Sequence, residues 1–322
     1  ENNPNNGIHW IKGNLFDENS IKSIMEEVKP KYLLNMAWCT TGDYLKSDLN
    51  YKFLNAGINL LKYFKDNGGK RAVFAGSFFE YKFKNEPLKE ADELDVEKTV
   101  YTFCKHKLHE IAKFFCKQNN ISFGYGRIFG VYGRNENKTR LTGMIIDNLS
   151  KNEEIIIKSG PLIRDYIYSK DIANAFAKFL DSNIEGAVNI CTGKSISIRE
   201  FALEIGKQMG KENLIIFKEE LSNQSPINIG DNTRLRKEVG YEIDDLYDEW
   251  EYFHEGEKKP HKEEETDKKP YVPSNNCELS FLGVEGYDLG WERRDESRKF
   301  HLNLINHENS VNVIVKTKDS KA

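Results

Sequence analysis

Apolar residues follow two different periods along residues 8–240. Short, nearly continuous runs predict buried strands: IHWI (8–11), KYLLNMAW (31–38), RAVFAGS (71–77), ISFGYGRIF (121–129), EIIIK (154–158) and AVNIC (187–191). Between them, apolar positions three and four apart predict amphipathic helices. NSIKSIMEEVK (19–29) sets Ile21, Ile24, Met25 and Val28 on one face. Residues 48–66 carry Leu54, Ile58, Leu61 and Phe64 as a stripe, and Gly68-Gly69 ends them. Further helices are predicted at 100–118, 141–151, 171–181 and in SIREFALEIGKQMG (197–210). Strand–helix–strand alternation implies parallel strands joined by right-handed crossovers, hence an α/β, doubly wound parallel sheet. Ligands of such sheets bind beyond the carboxyl ends of the strands. Ser77 stands at one such end.

The pattern changes after Tyr241. Residues 242–275, with EGEKKPHKEEETDKKPYVP, are crowded with Glu, Asp and Lys and predict a charged linker. Residues 276–322 regain β character in CELSFLGV and KFHLNLINHENSVNVIVK, which predicts a small β-rich C-terminal appendage. No chemistry is read in it.

Composition narrows the function classes. Of 322 residues, 39% are hydrophobic, enough for a substantial core, and the net charge is only −4. Lys and Arg are spread along the chain, which argues against a nucleic-acid surface. No apolar run approaches the ~18 residues of a membrane span. The opening ENNPNNGIHW lacks a basic segment followed by an apolar one, so no signal peptide is expected. The five Cys form no C-x-x-C pair and read as reduced thiols of a cytoplasmic protein. The seven His form no H-x-x-x-H pair, and no metal is expected.

Two Tyr-x-x-x-Lys pairs occur, Tyr101/Lys105 and Tyr166/Lys170. Spacing alone does not choose between them, because 15 Tyr and many Lys produce such pairs by chance. Tyr101 and Lys105 lie in a predicted helix, one turn apart on one face. A phenol with an ordinary pKa near ~10 is a poor base at neutral pH. A neighbouring ammonium favours the phenolate, and the tuned phenol can exchange a proton with a carbonyl or hydroxyl oxygen. Ser77, a hydroxyl at a strand end 24 residues before Tyr101, completes the set. The same count back from Tyr166 reaches Thr142, which is not at a strand end.

In this order the chain carries GNLFD (13–17), NMAW (35–38), AGSFFEY (75–81), YTFCK (101–105), RIFGVYG (127–133), RDYIYSKDIA (164–173) and NICTGKSISI (189–198). Over residues 8–241 the ordered set resembles the extended short-chain dehydrogenase/reductase family of nucleotide-sugar epimerases, dehydratases and 4-ketoreductases. The resemblance implies a Rossmann-type sheet with a small substrate subdomain, a cytoplasmic homodimer, NAD or NADP as cofactor and a nucleotide-diphosphate sugar as substrate. Within 1–241, the cofactor part would span about 1–130 and 166–195, and the substrate part about 131–165 and 196–241.

Carried over residue by residue, Tyr101 would be the acid/base. Lys105 would lower its pKa and hold the nicotinamide ribose, and Ser77 would bond the reacting oxygen. Asn14, Ala37 and Trp38 would line the cofactor's path. Arg164 would grip the substrate diphosphate, which suits a guanidinium fork. Arg140 reads equally as a second phosphate contact or a surface Arg, and Glu80 as a substrate contact or a structural hydrogen bond. Asp165 and Asp171 read as structural, one in a buried ion pair and the other as a helix cap.

The family's Gly-x-x-Gly-x-x-Gly turn, whose backbone approaches the cofactor pyrophosphate, has no counterpart in 1–241. GYGRIFG (124–130) lies within and after a strand and is followed by no amphipathic helix. The first strand, IHWI, corresponds to the third of the family's sheet. Losing a central strand would uncover an edge, so an incomplete sequence is the expectation, and poor NAD(P) binding with it. Dehydratases of the family carry Asp-Glu where this chain has Phe78-Phe79, which leaves epimerase or 4-ketoreductase, in deoxysugar or surface-polysaccharide biosynthesis. An inactive relative acting as a binding or scaffold subunit, and an interaction protein working through residues 276–322, remain the alternatives.

Overall fold

The structure is a computed structural model that describes residues 9–133, 136–218 and 224–243, with four strands of the C-terminal part. In chain order the elements begin with β1 (His9–Gly13), α1 (Glu18–Val28), β2 (Tyr32–Asn35), α2 (Leu49–Asp66), β3 (Arg71–Ser77) and α3 (Val100–Gln118). Then come β4 (Ser122–Ile128), β5 (Gly130–Tyr132), α4 (Leu141–Ser150), β6 (Ile155–Ile157), β7 (Ile163–Arg164), β8 (Tyr166–Tyr168), α5 (Ser169–Asp181) and β9 (Gly186–Ile190). They continue with β10 (Ile196–Ser197), α6 (Ile198–Gln208), β11 (Ile215–Phe217) and β12 (Ile227–Asn228). The C-terminal strands are β13 (Leu279–Val284), β14 (Asp288–Leu289), β15 (Leu302–Asn303) and β16 (Val311–Val315). Every strand and helix expected from periodicity is present, within three residues at each boundary. The short strands β5, β7, β8, β10, β11 and β12 were not foreseen, because two or three residues are too few to display a period.

The main sheet has the order β1-β16-β13-β2-β3-β4-β9. From β13 to β9 all neighbours pair in parallel. β16 runs antiparallel to both its neighbours, which returns β1 to the common direction. The C-terminal part is β-rich as expected, and two of its strands lie inside the main sheet. They fill the space between β1 and β2, so the β2 edge that the sequence left uncovered is paired with β13. Apart from its first two residues, the charged stretch 242–275 lies outside the described residues.

Alternation along the buried strands divides the core between the two faces. Leu33, Ala72 and Phe74 pack with Phe64 of α2 and Leu108, Ala112 and Cys116 of α3. Leu34, Val73 and Ala75 pack with Phe176 and Phe179 of α5. Every residue of β3 is buried. A third cluster joins Ile145 and Leu149 of α4 to Ile155, Ile157, Phe201, Ile205 and Ile215, away from the main sheet. Capping begins the helices where the sequence places hydroxyls and carboxylates. Asp17 accepts from the Asn19 N–H ahead of α1, and Thr99 and Thr102 cap α3 reciprocally.

Phe64 is fully buried at the centre of the first cluster. Phe64→Ala is expected to destabilise the protein by about 3–5 kcal/mol, read as a lowered denaturant midpoint with an unchanged slope in chemical unfolding.

Candidate active site

The carboxyl end of β3 brings the hydroxyl, phenol and amine together. Ser77 ends the strand and caps a single 3-10 turn, residues 78–80, in which the Ser77 N–H donates to Glu80 Oε1 at 2.9 Å. Ser77 Oγ accepts from the Phe79 N–H at 3.3 Å, and its hydroxyl lies near enough to the Tyr101 phenol to pull the phenol's value down. The Thr99 cap fixes the first turn of α3, so Tyr101 and Lys105 sit one turn apart on its buried side. Lys105 Nζ donates to the Ala75 carbonyl at 2.7 Å. Trp38, just beyond β2, completes this wall: Lys105 Nζ lies 4.2 Å from its ring centroid, and its ring meets Tyr101 edge-on. Trp38 Nε1 donates to Asn50 Oδ1 at 2.7 Å, and the Ala37 N–H to Asn35 Oδ1 at 3.0 Å. Thus Ser77, Trp38, Tyr101 and Lys105, chosen from sequence, form one cluster.

Burial dominates the electrostatics of that cluster. It pushes the Tyr101 phenol well above its ordinary value, although the Ser77 bond pulls the other way. It draws the Lys105 ammonium down to about 7, with the Glu80 charge opposing. The net direction for Tyr101 is the reverse of that suggested by the sequence. The ammonium is directed at the Ala75 carbonyl and the Trp38 ring, and it does not outweigh the loss of water around the phenol.

The other candidates are engaged as follows. Asn14 is turned to local structure: its Oδ1 accepts from the Phe16 N–H in the turn leading to α1. Glu80 has no exposed surface, and its Oε1 is engaged by the Ser77 N–H and the Tyr125 hydroxyl. Arg164 is largely buried and its fork donates to the Ile163 and Ser225 carbonyls and to Gln224 Oε1. It braces β7 against the segment leading into β12. Arg140 Nη2 donates to the Thr40 carbonyl at 3.0 Å, and its guanidinium lies near the Tyr44 hydroxyl. Tyr44 in turn meets the Tyr101 ring edge-on at 5.1 Å between centroids. Arg140 is therefore the expected phosphate contact that lies beside the cluster.

Tyr166 belongs to β8 and Lys170 to α5, so the second Tyr/Lys pair does not share a helical face. Asp165 is a hydrogen-bonding hub and not half of an ion pair. Its oxygens accept from Thr192 N and Oγ1, Gly193 N and Gly230 N. Asp171 sits in the first turn of α5 and accepts from the Tyr241 hydroxyl at 2.7 Å. A Cβ on Gly130 would lie 2.7 Å from the Asp165 carbonyl oxygen.

Sequence reasoning missed the layer behind the cluster. Tyr125 and Arg127 alternate onto the α3 side of β4, which the period of the strand GYGR allowed. Tyr125 donates to Glu80 Oε1 at 2.9 Å. Gly76 makes this approach possible, since a Cβ there would lie 2.3 Å from the Tyr125 ring. Glu136 was also missed: burial pushes its carboxyl up to about 7, against hydrogen bonds from Thr142 and the Gly143 N–H.

The sequence profile described as the NAD dependent epimerase/dehydratase family matches residues 1–191. The CDP-abequose synthase of Salmonella typhimurium is 26% identical over 145 residues, 42% of this chain and 48% of that protein. The spore coat polysaccharide biosynthesis protein SpsK of Bacillus subtilis is 25% identical over 218 residues, 66% of this chain and 74% of that protein. The chain spans about half the length of the CDP-abequose synthases it matches. Among solved structures, the UDP-N-acetylglucosamine 4-epimerase of Methanobrevibacter ruminantium in complex with UDP-N-acetylmuramic acid superposes with a TM-score of 0.65 at 21% identity, over 72% of this chain and 76% of that one. At that identity the likeness speaks to the fold, a Rossmann-like α/β architecture.

The low value for Lys105 has a sign that stability measurements check. The unfolded lysine, with an ordinary value of 10.5, holds its proton above pH 7 where the folded one releases it. The native contribution therefore rises with pH from about 7 to 10.5 and, as pH falls, is lost over the same interval, fully by about pH 7. Lys105→Met is expected to remove that rise, so its stability relative to the unsubstituted protein falls as pH climbs from 7 to 10 in denaturant titrations.

Proposed function

The chain belongs to the NAD dependent epimerase/dehydratase family, and from that premise we propose that it acts on a nucleotide-diphosphate sugar, with Tyr101 donating a proton to a sugar carbonyl oxygen. The observation that carries this reading is the meeting of Ser77, Tyr101 and Lys105 beyond the carboxyl end of β3, with the phenol held in its protonated form. A protonated phenol is ready to act first as an acid, so a 4-ketoreductase fits better than an epimerase, whose oxidation step first needs a base. Ser77 would hold the carbonyl oxygen beside the phenol. Lys105, as an ammonium, would stabilise the phenolate left after transfer. The placement of Phe78 and Phe79, stacked with ring centroids 4.5 Å apart, supports the same choice. They stand where dehydration would need carboxyl groups. Arg140 is the guanidinium best placed for the diphosphate, because it is joined through Tyr44 to the Tyr101 ring.

A nicotinamide cofactor would supply the hydride. Trp38, Tyr101 and Lys105 fit one wall of a nicotinamide site, at the strand ends where such rings lie. Residues 9–133 contain no Gly-x-x-Gly-x-x-Gly turn for its pyrophosphate. A second reading, a sugar-nucleotide-binding subunit without turnover, is favoured by one observation: Lys105 Nζ is already bonded to Ala75 O and covered by the Trp38 ring.

Two assays separate the readings. The protein is incubated with a panel of nucleotide 4-ketosugars and NADH or NADPH, and cofactor oxidation is followed. Turnover by the unsubstituted protein, reduced roughly 10²–10⁴-fold in Tyr101→Phe, is the expected outcome. Saturable sugar-nucleotide binding by calorimetry, with no cofactor oxidation and no epimerised product, would replace the reductase by the binding subunit.

A further inference from the structure

Ser77 is followed by a shelf of aromatic rings that the proton transfer proposed above does not use. Phe78 and Phe79 stack with ring centroids 4.5 Å apart. Phe78 also stacks on Phe129, at 5.3 Å and 22° between ring planes. Phe83 leans on the pair, 6.0 Å from Phe78 and 6.4 Å from Phe79. Phe129, the residue after β4, is buried and forms the floor. Phe78, Phe79 and Phe83 are only partly buried, so three of the four rings keep open surface.

Strand order sets this shelf on one flank of Ser77 and the nicotinamide wall on the other. β3 lies between β2 and β4. Trp38, just past β2, stands against Lys105 and Tyr101. Phe129 stands just past β4, and the chain runs from it through β5 to Arg140 at the start of α4. The turn after Ser77 joins the two flanks. Its Phe79 N–H donates to Ser77 Oγ at 3.3 Å. The Phe79 side chain packs against the cluster that holds Trp38 and Tyr101, and Phe78 against the one that holds Phe129.

Phenyl rings offer an incoming hydroxyl no conventional hydrogen bond, and the polar groups beside these rings are buried or engaged. Glu80 and Tyr81, next in the chain, have no exposed surface, and the Tyr81 hydroxyl donates to Asn189 Oδ1 at 2.7 Å. Lys98 Nζ, 4.3 Å from the Phe83 centroid, donates to the Tyr81 carbonyl at 2.8 Å. A hydroxyl carried over the shelf gives up water without replacement, whereas a methyl group gains by leaving water.

We propose, on the reading of Ser77 and Tyr101 as the groups that hold the sugar carbonyl, that Phe78 and Phe79 select a nucleotide 4-ketosugar with a methyl group at C6, a 6-deoxyhexose, over one with a hydroxymethyl group there. C6 is the one exocyclic carbon of a hexopyranose and is attached to the ring atom next to C4. With the C4 oxygen at Ser77, a shelf that begins at the following residue is placed to meet it.

The test uses matched pairs of nucleotide sugars that differ only at C6, in CDP, dTDP, UDP and GDP forms. Affinity is measured by calorimetry, and cofactor oxidation is followed with the 4-keto members. The 6-deoxy member is expected to be favoured roughly 10–100-fold, the range open to an apolar site. Phe78→Asn and Phe79→Asn, which bring an amide to the shelf, should each cut that ratio by about tenfold. Phe78→Leu, which keeps the shelf apolar, should retain it. Equal affinity for both members in the unsubstituted protein, or a preference undiminished by both Asn substitutions, overturns the inference and leaves the carbonyl reading standing. Should the Asn variants fail to fold, a ratio near one in the unsubstituted protein or in Phe78→Leu overturns it, and a preference kept by both supports it. Binding of neither member in any nucleotide form would remove the nucleotide-sugar reading itself, and this selection with it.

Discussion

A carboxylate without exposed surface dictates much of what surrounds it. Burying one charge costs several kcal/mol of lost hydration unless donors and counter-charges meet it. Around Glu80 they come from three elements at once: the backbone where β3 ends, the side of α3, and the inner face of β4. The bonds to its Oε1 hold Ser77 and fix Tyr125 against Gly76, and the Tyr125 hydroxyl also donates to the Lys105 carbonyl of α3.

The parallel sheet is the frame for this cluster. β3 is buried on both faces because helices cover both, α2 and α3 on one side and α5 on the other. Its carboxyl end is then the place where a side chain can leave the sheet toward a ligand. The β2 edge would be open if only residues 9–243 formed the sheet. Pairing with β13 closes it, and β16 joins β13 to β1. An unpaired central edge would otherwise offer its backbone groups to another chain.

The chemistry follows from how dry the cluster is. Low polarity raises the phenol, which keeps its proton at neutral pH, and draws the ammonium down to about 7. A phenol in that state serves an acid step. Phe78 and Phe79 stack at the end of β3, and the Arg140 guanidinium lies near Tyr44.

Periodicity alone determined the main elements. The apolar stripes of residues 19–29, 48–66 and 100–118 and the continuous runs of the strands are local, and local spacing is all that a helix or buried strand requires. The Tyr101/Lys105 pair was legible for the same reason, once Ser77 at a strand end separated it from Tyr166/Lys170. Partner choice was decided by tertiary structure. Glu80 meets Tyr125 across 45 residues and Arg164 meets Ser225 across 61, distances over which no sequence period operates. Sequence alone therefore allowed Glu80 a place on the substrate and Arg164 a place on a diphosphate. Burial turned the first inward and packing spent the second on carbonyls. The direction of the Tyr101 shift was likewise a matter of how much water the fold excludes, which depends on Trp38, Tyr44 and β3 closing around it together.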